Sequence, residues 1–325
     1  MYRLLFCRNN IRVKEWGFMY YFIVNKTSGS GKSQKVWQEV EQELKNRKIR
    51  YRAYFTNHEG HAGKLADMIC GKEGEKIYLV VVGGDGTVNE VINGMHHFEK
   101  IYFGYIPTGS GNDFARGLKI KGRPKENLIR ILEEKQIIPM DLGEVWWKGC
   151  KKKQLYAISS GVGIDADVCK QALHSRLKKI LNKIGLGSFT YICLTLKALF
   201  TMPTTTARIT FDDSMTKTYE KMVFIVGMNH PYEGGGVPMA PRASATDGKL
   251  SVCCVWGISR LKAFFMFPVL ILGKHEKKKG FEVIECEKFD LHIEQKMVLH
   301  ADGEYCGDVQ DMRFRCLPDK LKIIL

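Results

Sequence analysis

Val80-Val-Val-Gly-Gly-Asp-Gly-Thr-Val-Asn-Glu90 is the stretch around which the rest of the chain is organised. Ile77 to Val82 is an apolar, β-branched run of the length of a strand buried on both faces. Gly83, Gly84 and Gly86 are expected to take positive φ angles, letting the backbone approach a ligand with several N–H groups turned into one concavity. Thr87 and Glu90 have capping-box spacing, and Val88, Val91, Ile92 and Met95 recur at helical intervals, so a helix is expected to open at Thr87. An anion is well placed at such a helix start. Asp85 sets a carboxylate among groups suited to phosphate, which is repulsive unless a magnesium ion intervenes or the carboxylate takes a proton from an attacking hydroxyl. A glycine turn whose aspartate bonds the backbone is the plainer alternative.

At 325 residues and 45% hydrophobic content, the chain is long enough for two domains with substantial cores. Lys and Arg number 50 against 35 Asp and Glu, a formal charge of +15 that calls for an anionic partner: nucleic acid, a membrane surface or a phosphorylated ligand. No nucleic-acid module or repeated basic-aromatic pattern is found, so no specific nucleic acid is expected. The 10 cysteines are scattered without a Cys-x-x-Cys pair, the usage of a reduced, cytosolic protein. His58 and His61 stand too close for His-Glu-x-x-His, and no zinc site is expected. Residues 1–18 are basic and aromatic but lack a long apolar core and a cleavage site, and read as a poorly ordered or misassigned extension with Met19 as the alternative start. The longest apolar run, Ala263 to Gly273, is too short to span a bilayer and contains Pro268, so no transmembrane helix is expected.

From Tyr20 the pattern alternates strand and helix, which predicts a parallel sheet covered on both faces. Tyr20 to Val24 leads into Asn25-Lys-Thr-Ser-Gly-Ser-Gly-Lys32, and Val36, Trp37, Val40 and Leu44 mark the next helix face. The glycine-rich turn resembles a Walker A loop, but Lys26 stands where its first glycine belongs. A second strand runs from Ile49 to Thr56, before a helix carrying Leu65, Met68 and Ile69 inward. A fourth, Ile101 to Ile106, enters Pro107-Thr-Gly-Ser-Gly-Asn-Asp-Phe-Ala-Arg116, another turn suited to phosphate. Pro124 opens a helix with Leu128, Ile131 and Leu132 inward.

After Ile137-Ile-Pro-Met-Asp-Leu-Gly143 the texture changes to short runs separated by turn signals, which predicts a β-rich domain. The expected strands are Leu155 to Ser159, Ala207 to Phe211, Met222 to Gly227, Leu250 to Val255, Phe281 to Cys286 and Phe289 to Glu294. Two apolar and basic segments interrupt them, about Asp167 to Phe200 and Leu261 to Leu272, the latter followed by Lys274, Lys277, Lys278 and Lys279. Each reads as a helix on the sheet with a solvated charge run, or as an element that helps the protein lie on an anionic membrane.

Gly83-Gly-Asp-Gly-Thr-Val-Asn-Glu90, Ile106-Pro-Thr-Gly-Ser-Gly-Asn-Asp-Phe-Ala-Arg116, Asp141-Leu-Gly143, Gly161-Val-Gly-Ile-Asp165, Asp247-Gly-Lys-Leu250 and Asp302-Gly-Glu304 occur in an order that resembles the bacterial diacylglycerol kinase-like soluble lipid kinases, relatives of the eukaryotic diacylglycerol, ceramide and sphingosine kinases. The likeness covers Met19 to the C-terminus. NAD kinases share Gly-Gly-Asp-Gly, but the Val-Asn-Glu continuation and the Pro107–Arg116 turn look like the lipid kinases. The resemblance implies an α/β plus β fold, with a doubly wound nucleotide-binding α/β domain at 19–140, a β-sandwich-like acceptor domain at 141–325, and the active site in the cleft between them. In relatives the C-terminal tail can return to the first domain, which the sequence leaves open.

The resemblance also implies an ATP- and magnesium-dependent kinase of a lipid hydroxyl, with diacylglycerol the first guess and phosphatidylglycerol, a sphingoid base or a polyprenol as alternatives. A non-catalytic nucleotide- or lipid-binding homologue is the reading from another class. Nucleotide contacts carry over onto Asn25, Lys26, Thr27, Ser28, Gly29, Thr56, Gly84, Asp85, Gly86, Thr87, Val88, Asn89, Glu90 and Ser110. Lys26 departs from the family, which has proline there. Glu304 corresponds to the general base, with Asp85 as the alternative; Asp85, Asp113 and Asp141 resemble the acids around the catalytic magnesium. A second, structural magnesium is implied at Asp247 with the carbonyls of Ser244 and Lys249. The expected location is cytoplasmic and peripheral to the membrane, the expected partner a lipid substrate at an anionic surface, with a homodimer left open.

Overall fold

The computed structural model describes residues 18–72, 76–163 and 204–325. The basic segment expected at 167–200 lies outside them, as do residues 1–17. In the first half, β1 (Tyr20–Val24), β2 (Tyr51–Phe55), β3 (Ile77–Gly83) and β4 (Ile101–Pro107) pair in parallel in the order β2-β1-β3-β4. Their residues alternate between two cores, as the pleat requires. Tyr20, Phe22, Val24, Tyr78, Val80 and Val82 face Trp37, Val40 and Leu44 of α1 (Lys32–Asn46) and Leu128, Ile131 and Leu132 of α5 (Pro124–Glu133). Ile23, Leu79 and Val81 face Ala62, Ala66 and Ile69 of α2 (His61–Cys70) and Val88, Val91 and Ile92 of α3 (Asp85–Gly94). Met68, expected inward, is exposed, because the contact between α2 and α3 is made by small residues.

That contact is closest at two glycines. A Cβ on Gly94 would lie 2.0 Å from the carbonyl oxygen of Gly63, a backbone atom that cannot swing away. Gly94→Ala is therefore expected to force α2 and α3 apart and cost about 1–3 kcal/mol, read as a lower denaturant midpoint at unchanged slope.

A short helix, α4 (Asp113–Gly117), follows β4 in the first half, and the second half is built from long strands that change partners along their length. β5 (Ile137–Trp147) pairs with β6 (Gln154–Tyr156) and with β13 (Glu304–Ile324). β9 (Met215–Met228) pairs first with β8 (Thr205–Phe211), then with β7 (Ser159–Gly163) and β10 (Leu250–Trp256), whose other edge carries β11 (Phe281–Cys286). β12 (Lys288–Ala301) pairs on one side with β8 through Phe289–Ile293 and with β7 through Leu299–Ala301, and on the other with β13, where the register shifts between His292 and Met297. Phe211, Phe289, Phe314, Ile225 and Val252 fill the core that these bent strands enclose, the β-sandwich-like part of an α/β plus β architecture. α6 (Arg260–Ile271) packs outside it.

β13 spans 21 residues and reaches back to the first sheet, where Lys322 and Ile323 pair in parallel with Tyr102 and Phe103 of β4. The C-terminal tail thus returns to the α/β half. The strand expected at Met222–Gly227 is the last part of a 14-residue strand and that at Phe289–Glu294 the first part of another; Lys217, Glu220 and Lys221 in the one and Gln295 and Lys296 in the other hide the continuation from a hydrophobicity reading.

Candidate active site

The carboxyl ends of β1 to β4 converge on a cleft of about 620 Å³, the place where open parallel sheets gather ligands. Its first wall is made of Asn25, Thr27, Ser28, Gly29, Thr56, Gly84, Asp85, Gly86, Thr87, Glu90 and Ser110. Gly29 has φ +60°, and a Cβ there would fall 2.0 Å from the carbonyl oxygen of Thr108, so the two glycine turns touch through backbone alone. Asn25 stitches them to α3: its Nδ2 donates to Thr87 Oγ1 (3.0 Å) while its Oδ1 accepts from the N–H and hydroxyl of Thr27.

The glycines of β3–α3 work differently from the sequence expectation. Gly83, Gly84 and Gly86 are absent from the positive-φ residues, and α3 opens at Asp85 with Gly84 as its N-cap. They are needed for closeness: a Cβ on Gly83 would strike Thr87, one on Gly84 would meet Gly109 Cα at 3.1 Å, and one on Gly86 would come within 2.8 Å of Glu304 Oε1. Thr87 and Glu90 form no capping box, because Glu90 Oε2 accepts instead from Ala62 N in the first turn of α2 (2.9 Å). Three residues expected at the nucleotide do not line the cleft. Lys26 places its Nζ 3.8 Å from the centroid of the Phe55 ring, Val88 is buried in the core, and Asn89 is buried with its Nδ2 on Asp302 Oδ2 (2.9 Å).

Seven acids line the cleft: Glu59, Glu90 and Glu233 stand beside Asp85, Asp113, Asp302 and Glu304. Asp85 Oδ2 accepts from Asp113 N (3.0 Å) and Oδ1 from Phe114 N (3.3 Å), which fixes its carboxylate against the start of α4. Burial, then the neighbouring Asp113 charge, pushes Asp85 up to about 7. Asp113 is raised by burial too, opposed by Gly235 N, which donates to its Oδ2 (2.7 Å), and by the Arg116 guanidinium on its Oδ1. Asp141, expected with them, stands elsewhere. Its Oδ1 accepts from Asp319 N (2.9 Å) and its Oδ2 from Gly248 N (2.7 Å), so it ties β5 to the turn before β10 and to β13.

Ser244, Asp247 and Lys249 do share that turn, with Asp247 Oδ1 accepting from Lys249 N (3.0 Å). Burial raises Asp247, with Asp141 and Glu285 adding negative charge nearby. Among the described residues no group of three or more His, Cys, Asp or Glu side chains has the placement to hold a metal by itself.

The opposite wall comes from the second half and was not legible beforehand: Ile158, Ser159 and Glu233 to Gly235, with Asn57, His58 and Glu59 at the cleft's edge. Gly234, Gly235 and Gly236 take φ of 64°, 87° and 108°, a left-handed run open only to glycine at low cost, and it carries Gly235 N to Asp113. This glycine triplet, Gly234-Gly-Gly236, was the available signal. Asp302 anchors this wall: its Oδ1 accepts from Ile158 N (2.7 Å) and Ser159 N (3.1 Å), and its Oδ2 from Ala157 N (2.8 Å) and Asn89 Nδ2. Gly303 N donates to His300 Nδ1 (3.2 Å), leaving Nε2 as the ring N–H that faces Glu233 Oε1 at 3.3 Å. The Asp302-Gly-Glu304 turn is thus held on both sides, and Glu304 projects from it over the first turn of α3.

His230 backs the site, buried edge-on against Phe114. Burial lowers it from 6.5 to about 4, and its Nε2 has no hydrogen-bond partner among the described residues. The unfolded chain therefore binds a proton that the folded chain refuses between these values. Stability from this group is complete above about pH 6.5 and is lost as the pH falls toward about 4, on the order of 3 kcal/mol. Denaturation between pH 7.5 and 4.5 is expected to show a smaller loss for His230→Asn than for the wild type; equal losses would contradict this.

Known proteins match both halves of the chain. The diacylglycerol kinase catalytic domain family matches residues 19–145, and the YegS C-terminal NAD kinase beta sandwich-like domain family matches residues 158–325. A Bacillus subtilis protein named "Putative lipid kinase YtlR" is 31% identical over 306 residues, covering 94% of this chain and 98% of its own. The diacylglycerol kinase of Bacillus subtilis is 26% identical over 88% of this chain and 89% of its own. Among solved structures, the "Crystal structure of a putative diacylglycerol kinase from Bacillus anthracis str. Sterne" superposes with a TM-score of 0.72 at 21% identity, covering 94% of this chain and 96% of that one. No helix among the described residues is long and apolar enough to cross a membrane. With both family matches spanning its two halves and a near-full-length relative above 30% identity, this chain belongs to the diacylglycerol kinase-like family and is a lipid kinase.

Proposed function

We propose that this kinase transfers the γ-phosphoryl group of ATP to a lipid hydroxyl, with diacylglycerol as acceptor and phosphatidic acid as product. The observation that carries the reading is the position of Glu304, whose Oε1 sits 2.8 Å from the Cβ position of Gly86, beside Asp85 and opposite the glycine turns. The backbone N–H groups of 25–29, 84–87 and 109–111 receive the phosphates at the mouth of α3. Glu304 takes the proton of the lipid hydroxyl as its oxygen bonds the γ-phosphorus and the bond to the β-phosphate oxygen breaks, releasing ADP. Asp85 is assigned elsewhere, because two backbone N–H groups already fix both of its oxygens toward Asp113.

Asp85 and Asp113 are the residues that would hold magnesium, which supplies neutralisation of the phosphate charge. Half-buried Asp85 and buried Asp113 are both raised by burial, Arg116 meets only Asp113, and two carboxylates plus phosphate and water oxygens are the donor set this ion takes. Asp247 with the carbonyls of Ser244 and Lys249 fits a second such ion, given the surplus negative charge of Asp141 and Glu285. Transfer of labelled γ-phosphate from ATP in mixed micelles, with diacylglycerol, phosphatidylglycerol, sphingosine and a polyprenol as acceptors, tests the reading. Labelling of diacylglycerol first supports it, labelling of another lipid alone replaces the acceptor, and labelling of none removes the proposed reaction.

A further inference from the structure

α6 is out of keeping with the rest of the surface. Of the 11 large exposed hydrophobic residues among the described ones, five lie in this one segment: Leu261 (64% exposed), Phe264, Phe265 (67%), Ile271 and Leu272 (67%). With exposed Pro268 they follow helical spacing and form a single stripe, while Ala263 and Leu270 face the core. Exposed cations flank the stripe along the chain: Arg260 and Lys262 before it, Lys274, Lys277, Lys278 and Lys279 after it. The Lys262 ammonium donates to the carbonyl of Lys279 (3.1 Å), bringing the two basic groups together. The only acid between 257 and 281 is Glu276, which is paired with Arg242 (3.2 Å).

We propose that α6 is a membrane-docking helix, which inserts its stripe of Leu261, Phe264, Phe265 and Leu272 at the interface of an anionic bilayer while the flanking cations meet the headgroups. The order of groups decides for this occupant. A helix of 12 residues is about 18 Å long, too short to span, and an exposed apolar stripe bordered by cations is the arrangement that lies in the headgroup plane. A second copy of the chain is disfavoured, because a two-fold contact through this stripe would set like charges against one another.

The position of α6 connects docking to the cleft. Gly273, with φ 65°, packs between Pro238 and Pro241, and His275 Nε2 bonds the carbonyl of Met239 (2.9 Å). Met239 belongs to the loop whose earlier residues, Glu233 to Gly235, form the second wall of the cleft. Docking through α6 therefore brings the acceptor wall to the bilayer. This use of the helix rests on the kinase reading; the binding itself does not.

Sedimentation of the full chain with vesicles tests it, comparing phosphatidylcholine alone with mixed phosphatidylcholine and phosphatidylglycerol. The wild type is expected to bind the anionic vesicles, and Phe265→Ser with Leu272→Ser to lower that partition roughly tenfold or more without changing the thermal midpoint, since both side chains are exposed. Neutralising Lys277, Lys278 and Lys279 to glutamine is expected to reduce binding to anionic vesicles and leave that to neutral ones as it was. Wild-type binding by the double variant, or equal binding to neutral and anionic vesicles, overturns the proposal. So does a wild-type dimer in light scattering that the double variant converts to monomer, since the stripe would then face a second copy. Phosphorylation of a short-chain, water-soluble acceptor is expected to be equal in wild type and double variant. Its absence in both overturns the kinase reading and leaves the vesicle result standing.

Discussion

Glutamine in place of Glu304 is expected to lower lipid phosphorylation by roughly 10²–10⁴-fold, the range of a general base, with ATP binding retained. The substitution keeps the shape of the side chain over Gly86 and removes only its capacity to accept the hydroxyl proton. Asp85→Asn is expected to fail differently. It alters a half-buried group that accepts from Asp113 N and Phe114 N and that is assigned to the cation, so the apparent magnesium requirement should rise together with the loss of rate. Steady-state assays over a magnesium titration separate the two. If Glu304→Gln shows the magnesium shift and Asp85→Asn retains the wild-type requirement with a pure loss of rate, the two roles are exchanged.

Asp302→Asn is expected to give the largest loss of stability of any single change in the cleft. The carboxylate collects four donors, three of them consecutive backbone N–H groups from Ala157 to Ser159, and an amide presents an NH₂ to two of the four. Each orphaned buried donor costs about 1–3 kcal/mol. Burial also raises the Asp302 carboxyl against the pull of these donors, and the neutral amide relieves that penalty. The net expectation is therefore the lower part of the range, about 2–4 kcal/mol. Denaturant unfolding measures it, and a change within about 0.5 kcal/mol, the ordinary spread of surface substitutions, would show that the four contacts are dispensable. Activity should fall in the same variant, because the turn that carries Glu304 loses its anchor.

The sequence by itself determined the α/β half. Continuous apolar runs in β1, β3 and β4 and apolar residues at helical spacing in α1, α3 and α5 call for a sheet covered on both faces, and Gly-Gly-Asp-Gly at the end of β3 marks the ligand edge. These signals are local. The order of the motifs, together with family resemblance, extended the reading to Asp302-Gly-Glu304. Only the tertiary structure decided which acids share the cleft. Asp141 lies in a motif like the others, yet its oxygens go to Gly248 N and Asp319 N, 107 and 178 residues away. The glycines of 83–86 look like positive-φ positions until Gly109 and Glu304 are seen pressed against them. β13 passed unread because its exposed charged residues and Pro318 break any apolar run, and its place between β4, β5 and β12 is fixed by pairing alone. Periodicity reports which side of an element is buried; it carries no information about which distant backbone donor a buried carboxylate will meet, and in this protein that choice builds the site.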